Sequence, residues 1–228
     1  MSQMKFRHEI KHYINYGDYL LLRNRLKFLL RCDHHANELG EYKIRSIYFD
    51  NYHDKALQEK LMGINNREKF RIRYYNDDVS FIRLEKKSKV NGLCAKVSAP
   101  LSDEQAQSIM DGEFEFLKNS PHALHQELYY KMKTELLRPK TIVDYTREAY
   151  IHDVGNVRIT FDKRIRTGIT SIDALNPLLP TVEGLDSNLI ILEVKFDEFL
   201  PEFISDVLQN NYSRSTSVSK YAVCRIYG

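Results

Sequence analysis

The sequence predicts an α+β fold: a mainly antiparallel barrel of about eight strands, closed around a basic lumen and surrounded by helices. Three observations predict it. Several segments carry charge at every second position: KFRIRYY sets Lys69, Arg71 and Arg73 against Phe70, Ile72 and Tyr74, and FIRLEKKSK sets Arg83, Glu85, Lys87 and Lys89 against Ile82 and Leu84. Alternate side chains of a strand point to opposite faces, so each run gathers its cations on one face. Lysine and arginine dominate those positions, although the chain holds only 34 basic against 31 acidic residues, a net charge of +3. Finally, short hairpin signals are interspersed with helical stretches in mixed order, which favours antiparallel pairing.

The elements follow in order. MKFRHEIKHYIN reads as a first strand with Lys5, Arg7, Glu9 and Lys11 on one face. Gly17-Asp18 interrupts it, and Asp18 is the expected cap of a helix reaching Leu30, whose Leu20, Leu21, Leu22, Leu26, Leu29 and Leu30 form a broad apolar stripe. KIRSIYFDN (43–51) is a strand ending in a turn signal, and a short amphipathic helix follows over 52–61. Strands over 67–75 and 80–89 flank the hairpin signal Asn76-Asp77-Asp78. LSDEQAQSIMDG is a capped helix, with Ser102 at the N-cap and Gln105 completing a capping box. Ser120-Pro121 opens another helix to about Leu137, with proline at its first position. Strands over 140–151 and 156–166 form a hairpin around Asp153-Val154-Gly155-Asn156, carrying Tyr145 and Arg147, then Arg158, Thr160, Asp162 and Arg164. Residues 167–188 are turn-rich. A strand over 189–197 holds Glu193 and Lys195, and helices near 201–210 and over 217–227 complete the chain. No linker or repeat divides it, so one domain spans 1–228.

A charged sheet face is often merely solvated. Here the cations recur on at least five strands, and like charges on neighbouring strands destabilise a flat sheet unless an anion sits among them. Closure into a barrel turns the apolar faces outward against helices and the cations into a lumen able to hold one small ligand. Arginine with lysine is the pair suited to phosphate oxygens. The near-balanced charge argues against a nucleic-acid binder. Cys32, Cys94 and Cys224 are odd in number and form no CxxC or Cys/His metal spacing. Free thiols in a reducing compartment are therefore expected. No apolar signal core or long apolar run is present, so a cytoplasmic protein is expected. There is no GxxxxGK[ST] match, which rules against a P-loop enzyme. The eight histidines make no site in this reading: His34-His35 lies at a helix end, His122 and His125 are three apart on a helix, and His8 faces the strand's other side. They are read as surface or capping residues.

The motifs RHEIKHYI, SIYFDN, KFRIRYY, LEKKSK, YTREAY, VRITFD, ILEVKF and SKYAVCR occur in this order between residues 7 and 225. Taken together they resemble the triphosphate tunnel metalloenzymes and, within them, the polyphosphate polymerase domain of the vacuolar transporter chaperone (VTC) complex and its bacterial relatives. The resemblance implies an antiparallel tunnel whose basic interior grips a nucleoside triphosphate or polyphosphate. It makes Lys11 the first-strand lysine, Arg71 and Arg73 a phosphate-clamping pair, and Lys87 the partner of Glu85 in a Glu-x-Lys pattern. Lys96, Tyr145, Arg147, Arg158, Ser219 and Lys220 match further basic or polar positions, and Glu193 matches the metal-binding glutamate. One departure stands out: where hydrolytic members show Glu-x-Glu-x-Lys, this chain has Arg7-His8-Glu9-Ile10-Lys11. Losing that carboxylate disfavours two-metal hydrolysis and favours the polymerase branch.

The expected function is transfer of the γ-phosphate of ATP onto polyphosphate, with ATP and polyphosphate as partners and no nucleic acid. Arg71, Arg73, Lys87, Arg147, Arg158 and Lys220 are the expected catalytic cations. Lys11, Lys69, Arg83, Lys96, Tyr145 and Ser219 are expected to bind substrate. Glu193 would hold a divalent metal, Mn²⁺ or Mg²⁺, with Glu9 and Glu85 as lesser candidates; an ion pair within the lumen is the equal alternative for Glu193. A triphosphatase of the same fold and a non-catalytic polyphosphate or inositol-polyphosphate sensor remain the alternatives. Lacking its own membrane segment, the chain is compatible with a membrane-protein partner that receives the product.

Overall fold

A computed structural model describes residues 5–209 and 218–226. The chain runs β1 (His8–Ile14), α1 (Tyr16–Leu29), β2 (Arg31–Cys32), β3 (Glu41–Asp50), α2 (Lys55–Leu61), β4 (Arg67–Tyr75), β5 (Asp78–Val90), β6 (Leu93–Leu101), α3 (Asp103–Met110), α4 (Ala123–Thr134), β7 (Arg138–His152), β8 (Val157–Thr167), β9 (Val182–Glu183), β10 (Ile190–Phe196), α5 (Glu202–Leu208) and α6 (Lys220–Ile226). All strand pairs are antiparallel, in the order β1-β10-β8-β7-β3-β4-β5-β6, with the two-residue strands β2 and β9 attached to β7 and β8.

The sheet curls until its two edges meet. Arg7, just before β1, and Cys94 in β6 exchange two backbone hydrogen bonds of 2.9 Å. The rest of this seam is joined by side chains rather than a ladder, with Lys87 Nζ on β5 reaching Glu9 on β1 at 2.6 Å. β6 is the long strand that sequence reading missed, along with the two-residue β2 and β9. Its LCAKVSAPL carries one lysine and a proline, so the charge alternation is too thin to reveal it.

Apolar faces point outward, as the alternation requires. On one side Phe70, Ile72, Ile82 and Leu84 pack with Ala106, Ile109, Leu124 and Leu128 of α3 and α4. On another, Leu22 and Leu26 of α1 and Ile204 of α5 cover Ile159, Phe161 and Leu192. Only part of the leucine stripe of α1 is buried: Leu22, Leu26 and Leu30 face inward, whereas Leu20, Leu21 and Leu29 are exposed. A third cluster joins Tyr221, Ala222 and Cys224 of α6 to Tyr48, Tyr145 and Ile191, so α6 packs on the inner face of the barrel itself. Asp50 at the end of β3 secures this arrangement. Its buried carboxylate accepts from the Ala56 and Leu57 amides at 2.8 and 3.1 Å and from the Tyr221 hydroxyl at 2.5 Å, tying α2 to α6.

Several local expectations change. Asn15 rather than Asp18 caps α1, its Oδ1 accepting from the Asp18 amide at 2.8 Å; the helix begins before Gly17, so Asp18 lies in its first turn. Ser102 and Gln105 form the expected capping box. Pro121 precedes α4 instead of starting it, and the helix ends at Thr134 ahead of Leu136, which has a φ of +55°. His125 is buried, with Nδ1 2.8 Å from Ser120 Oγ, and so is not a surface residue. At the β7–β8 turn, Gly155 has φ +73°, and a Cβ there would lie 2.6 Å from the Phe199 carbonyl, so only glycine fits.

A candidate anion-binding site inside the barrel

The curled sheet encloses a cavity of about 490 Å³ whose lining holds fifteen lysine and arginine side chains against two carboxylates, Glu9 and Glu193. Eleven of the twelve expected cation and polar positions line it: Lys11, Lys69, Arg71, Arg73, Lys87, Lys96, Tyr145, Arg147, Arg158, Ser219 and Lys220, and the expected metal ligand Glu193 joins them. Arg83 does not. It lies a strand pair beyond Glu85, about 7 Å along β5, where its guanidinium sits over the Phe81 ring and donates to Ser98 Oγ at 3.3 Å. Sequence reading also left Tyr42, Tyr48, Lys60, Arg67 and Lys195 out of the site, although all line the cavity. Lys195 shares the alternation of Glu193 and was legible. Lys60 arrives from α2, outside any strand pattern.

Register explains how the charges meet. Lys11 faces Glu193, Glu9 faces Lys195, and Arg147 faces Asp162 on adjoining strands. Lys11 Nζ lies 2.8 Å from Glu9 and 3.1 Å from Glu193, and Lys195 Nζ lies 2.6 Å from Glu193. Arg147 forks onto Asp162 at 2.6 and 2.8 Å, and Lys220 from α6 reaches the same carboxylate. Arg71 donates to Glu85 at 2.8 and 2.5 Å, Lys96 to Glu85 at 2.8 Å, and Arg158 to Asp33 at 2.5 Å. These buried carboxylates offset part of the charge.

Two cations stand apart. Arg73, only 4% exposed, donates to the hydroxyls of Ser46 (2.8 Å) and Tyr145 (2.9 Å). Lys69 touches Ser219 Oγ at 3.4 Å and lies 4.9 Å over the Tyr221 ring. Hydroxyls orient a cation without neutralising it, so no carboxylate answers either position before an anion arrives. Burial, followed by repulsion from Arg67, Lys60 and Lys11, brings the Lys69 ammonium down to about 7. The Tyr48 phenol is pushed up by burial, but Arg71, Arg73 and Lys220 outweigh that and bring it down to about 8. For Glu9, burial and Glu193 work upward while Lys11, Lys87 and Lys195 hold it below the usual carboxylate range. Glu193 is likewise raised by burial and lowered much further by Lys195, Lys11, Lys220 and Lys87. Both acids are therefore ionised.

Ionised, adjacent and facing the cavity, Glu9 and Glu193 suit one hard divalent cation, which takes one or two carboxylates and completes its shell with phosphate oxygens and water. Glu193 Oε1 is buried and accepts no hydrogen bond of normal geometry, although the Lys195 ammonium is close. Glu85 is not a donor to this place: it does not line the cavity, and it is buried behind Arg71 and Lys96. Arg7, in place of a third carboxylate, pairs with Asp197 at 2.9 Å, so the donors fit a single ion better than two.

A family model described as the VTC domain matches residues 6–226. No curated protein matches the chain. Among solved structures, the fold is similar to a protein of Bacillus halodurans described as a candidate adenylate cyclase, with 11% identity, TM-score 0.52, and 90% of this chain and 87% of the other covered. It is also similar to a candidate adenylyl cyclase of Hippeastrum described as having a dominant triphosphatase activity, with 14% identity, TM-score 0.53, and 89% and 84% covered. At these identities the likeness is one of fold. No helix among the described residues is long and apolar enough to cross a membrane.

Proposed function

Because the chain belongs to the VTC domain family, we propose that it is an ATP-dependent polyphosphate polymerase, transferring the γ-phosphate of ATP to the end of a polyphosphate chain inside the barrel. The observation that carries this reading is the cavity itself, with its fifteen cations, two ionised carboxylates and Arg7 where a further acid would serve two-metal hydrolysis.

In this transfer the bond from the γ-phosphorus to the β–γ bridging oxygen breaks, and a terminal oxygen of the acceptor phosphate forms the new P–O bond. ADP leaves, and neither water nor a protein nucleophile is consumed. Such a reaction depends on alignment and charge stabilisation. Arg73 presents a guanidinium that hydroxyls orient and no carboxylate pairs, suited to phosphate oxygens. Arg71, Arg147 and Arg158 are preset by their carboxylates, and Lys11, Lys69, Lys87 and Lys220 act as point charges along the same lumen. Glu9 and Glu193 would hold Mn²⁺ or Mg²⁺, which when bound neutralises charge developing on the transferred phosphate. ATP and polyphosphate are the proposed partners, with a membrane protein as the proposed receiver of the product.

The test is incubation of the protein with ATP and Mn²⁺ followed by product separation. Long-chain polyphosphate with stoichiometric ADP is expected. Orthophosphate alone would make it a hydrolase, and nucleotide binding with no product would make it a sensor.

A further inference from the structure

Among the described residues, one cluster of metal-ligating side chains lies outside the cavity, on the barrel wall. β2 pairs with β7 through Arg31–Ile151 and Cys32–Tyr150, and the Asp33 amide then bonds the Ala149 carbonyl at 2.9 Å. A tight turn follows, closed by the Ala36 amide on the Asp33 carbonyl at 3.0 Å, which folds His34 and His35 back over the Asp33 carboxylate. Their rings lie 3.8 Å apart, and Nδ1 of His35 and of His34 approach Asp33 Oδ1 at 2.9 and 3.7 Å. One ligand atom from each of the three residues falls within 4.8 Å of the others.

The environment adds a second, independent feature. The Asp33 side chain is buried, whereas His34 and His35 are 80% and 70% exposed, so an ion can enter from solvent onto a fixed carboxylate. The other Asp33 oxygen is held by Arg158 at 2.5 Å, and Arg158 also donates to Tyr42 at 2.7 Å. Arg158 fixes the direction of this carboxylate but also draws on its charge, so it competes with an ion bound at the other oxygen. Two imidazoles and one carboxylate form a donor set for a borderline cation such as Zn²⁺, not for Mg²⁺ or Mn²⁺, and three protein ligands leave positions for water.

We propose that Asp33, His34 and His35 form a binding site for Zn²⁺ or a similar late transition-metal ion, separate from the cavity and linked to it through the Asp33–Arg158 pair. An ion there draws the charge of Asp33 away from Arg158, leaving that guanidinium freer to hold an anion in the lumen. The site itself is independent of the polymerase reading; only its effect on anion binding rests on the cavity being an anion site.

The experiment titrates the full chain with Zn²⁺ alone, without nucleotide or phosphate, against a chromophoric zinc indicator. One equivalent is expected to bind, with affinity falling at least tenfold in the His34→Ala/His35→Ala double variant; both rings are exposed, and retention of the wild-type melting curve checks the fold. No binding by the wild type, or equal binding by the double variant, overturns the site. In Arg158→Ala, Asp33 loses its competing cation, and Zn²⁺ binding should tighten several-fold. Unchanged or weaker binding there overturns the link to the cavity. Neither arm depends on catalysis, so failure of the polymerase assay leaves both results readable.

Discussion

Arg73 Nη2 on β4 donates to the Tyr145 hydroxyl of β7 at 2.9 Å over the intervening strand β3, whereas Arg71, two residues earlier on β4, spends two nitrogens on Glu85. Two arginines that look alike in sequence therefore differ in whether a carboxylate answers their charge. Charge-assisted hydrogen bonds contribute roughly 1.5–3 kcal/mol each, so Arg73→Ala should weaken binding of a non-hydrolysable ATP analogue by about tenfold or more. Its melting temperature should change little, because cation crowding is relieved. Arg71→Ala leaves Glu85 buried with only Lys96 and should instead lower the melting temperature. Calorimetry and thermal unfolding of the two variants decide this; a reversed pattern would show Arg73 to be the structural one.

Glu193 separates catalysis from binding. Glu193→Gln keeps the shape and removes a charge from a cationic wall. Affinity for the ATP analogue should hold or rise, while turnover with Mn²⁺ falls by orders of magnitude. If turnover is unchanged, Glu193 has no part in the mechanism.

Anion binding should carry protons with it. Lys69 titrates at about 7 and Tyr48 at about 8 in the free protein. A bound polyanion favours the ammonium and the neutral phenol, so protons are taken up near neutral pH and affinity declines as pH rises from about 7 to 9. For folding the sign is opposite. The depressed Lys69 costs stability when protonated, and that cost is relieved as pH rises from 7 towards its unfolded value. Calorimetry of the ATP analogue in buffers of different ionisation enthalpy counts the protons. Zero uptake at pH 7.5, or uptake unaltered in Lys69→Met, would contradict this.

Asp162 anchors the opposite wall, fully buried between Arg147 and Lys220. Burial works to raise its carboxyl, but Arg147 and Lys220 prevail and lower it to about 2. Its stabilising contribution is thus complete above the unfolded value near 4 and lost as pH falls from there through about 2. Asp162→Asn removes the carboxylate that both buried cations share, leaving only Glu193, 4.0 Å from Arg147, as a counter-charge, which costs about 3–5 kcal/mol. The melting temperature should drop by roughly 6–20 °C, and a variant as stable as wild type would remove Asp162 from the framework.

Much of this was written locally. The alternation of KFRIRYY, YTREAY and VRITFD assigns side chains to the lumen or to the helix-covered exterior before any contact exists, and Arg71, Arg73, Arg147 and Arg158, which it puts on the cationic face, all line the cavity. Helix signals such as Ser102 with Gln105 are equally local and were equally legible. The stagger of the barrel was not, because it rests on Arg7 meeting Cys94, eighty-seven positions away, through backbone atoms that carry no sequence signature. Nor was the difference between Arg71 and Arg73, the placement of Arg83 outside the cavity, or the approach of Lys220 to Asp162. Periodicity decides which face a residue occupies. Whether its charge is already answered depends on strand register and helix docking, which bring together residues far apart in the chain, and only the tertiary structure determines those distances.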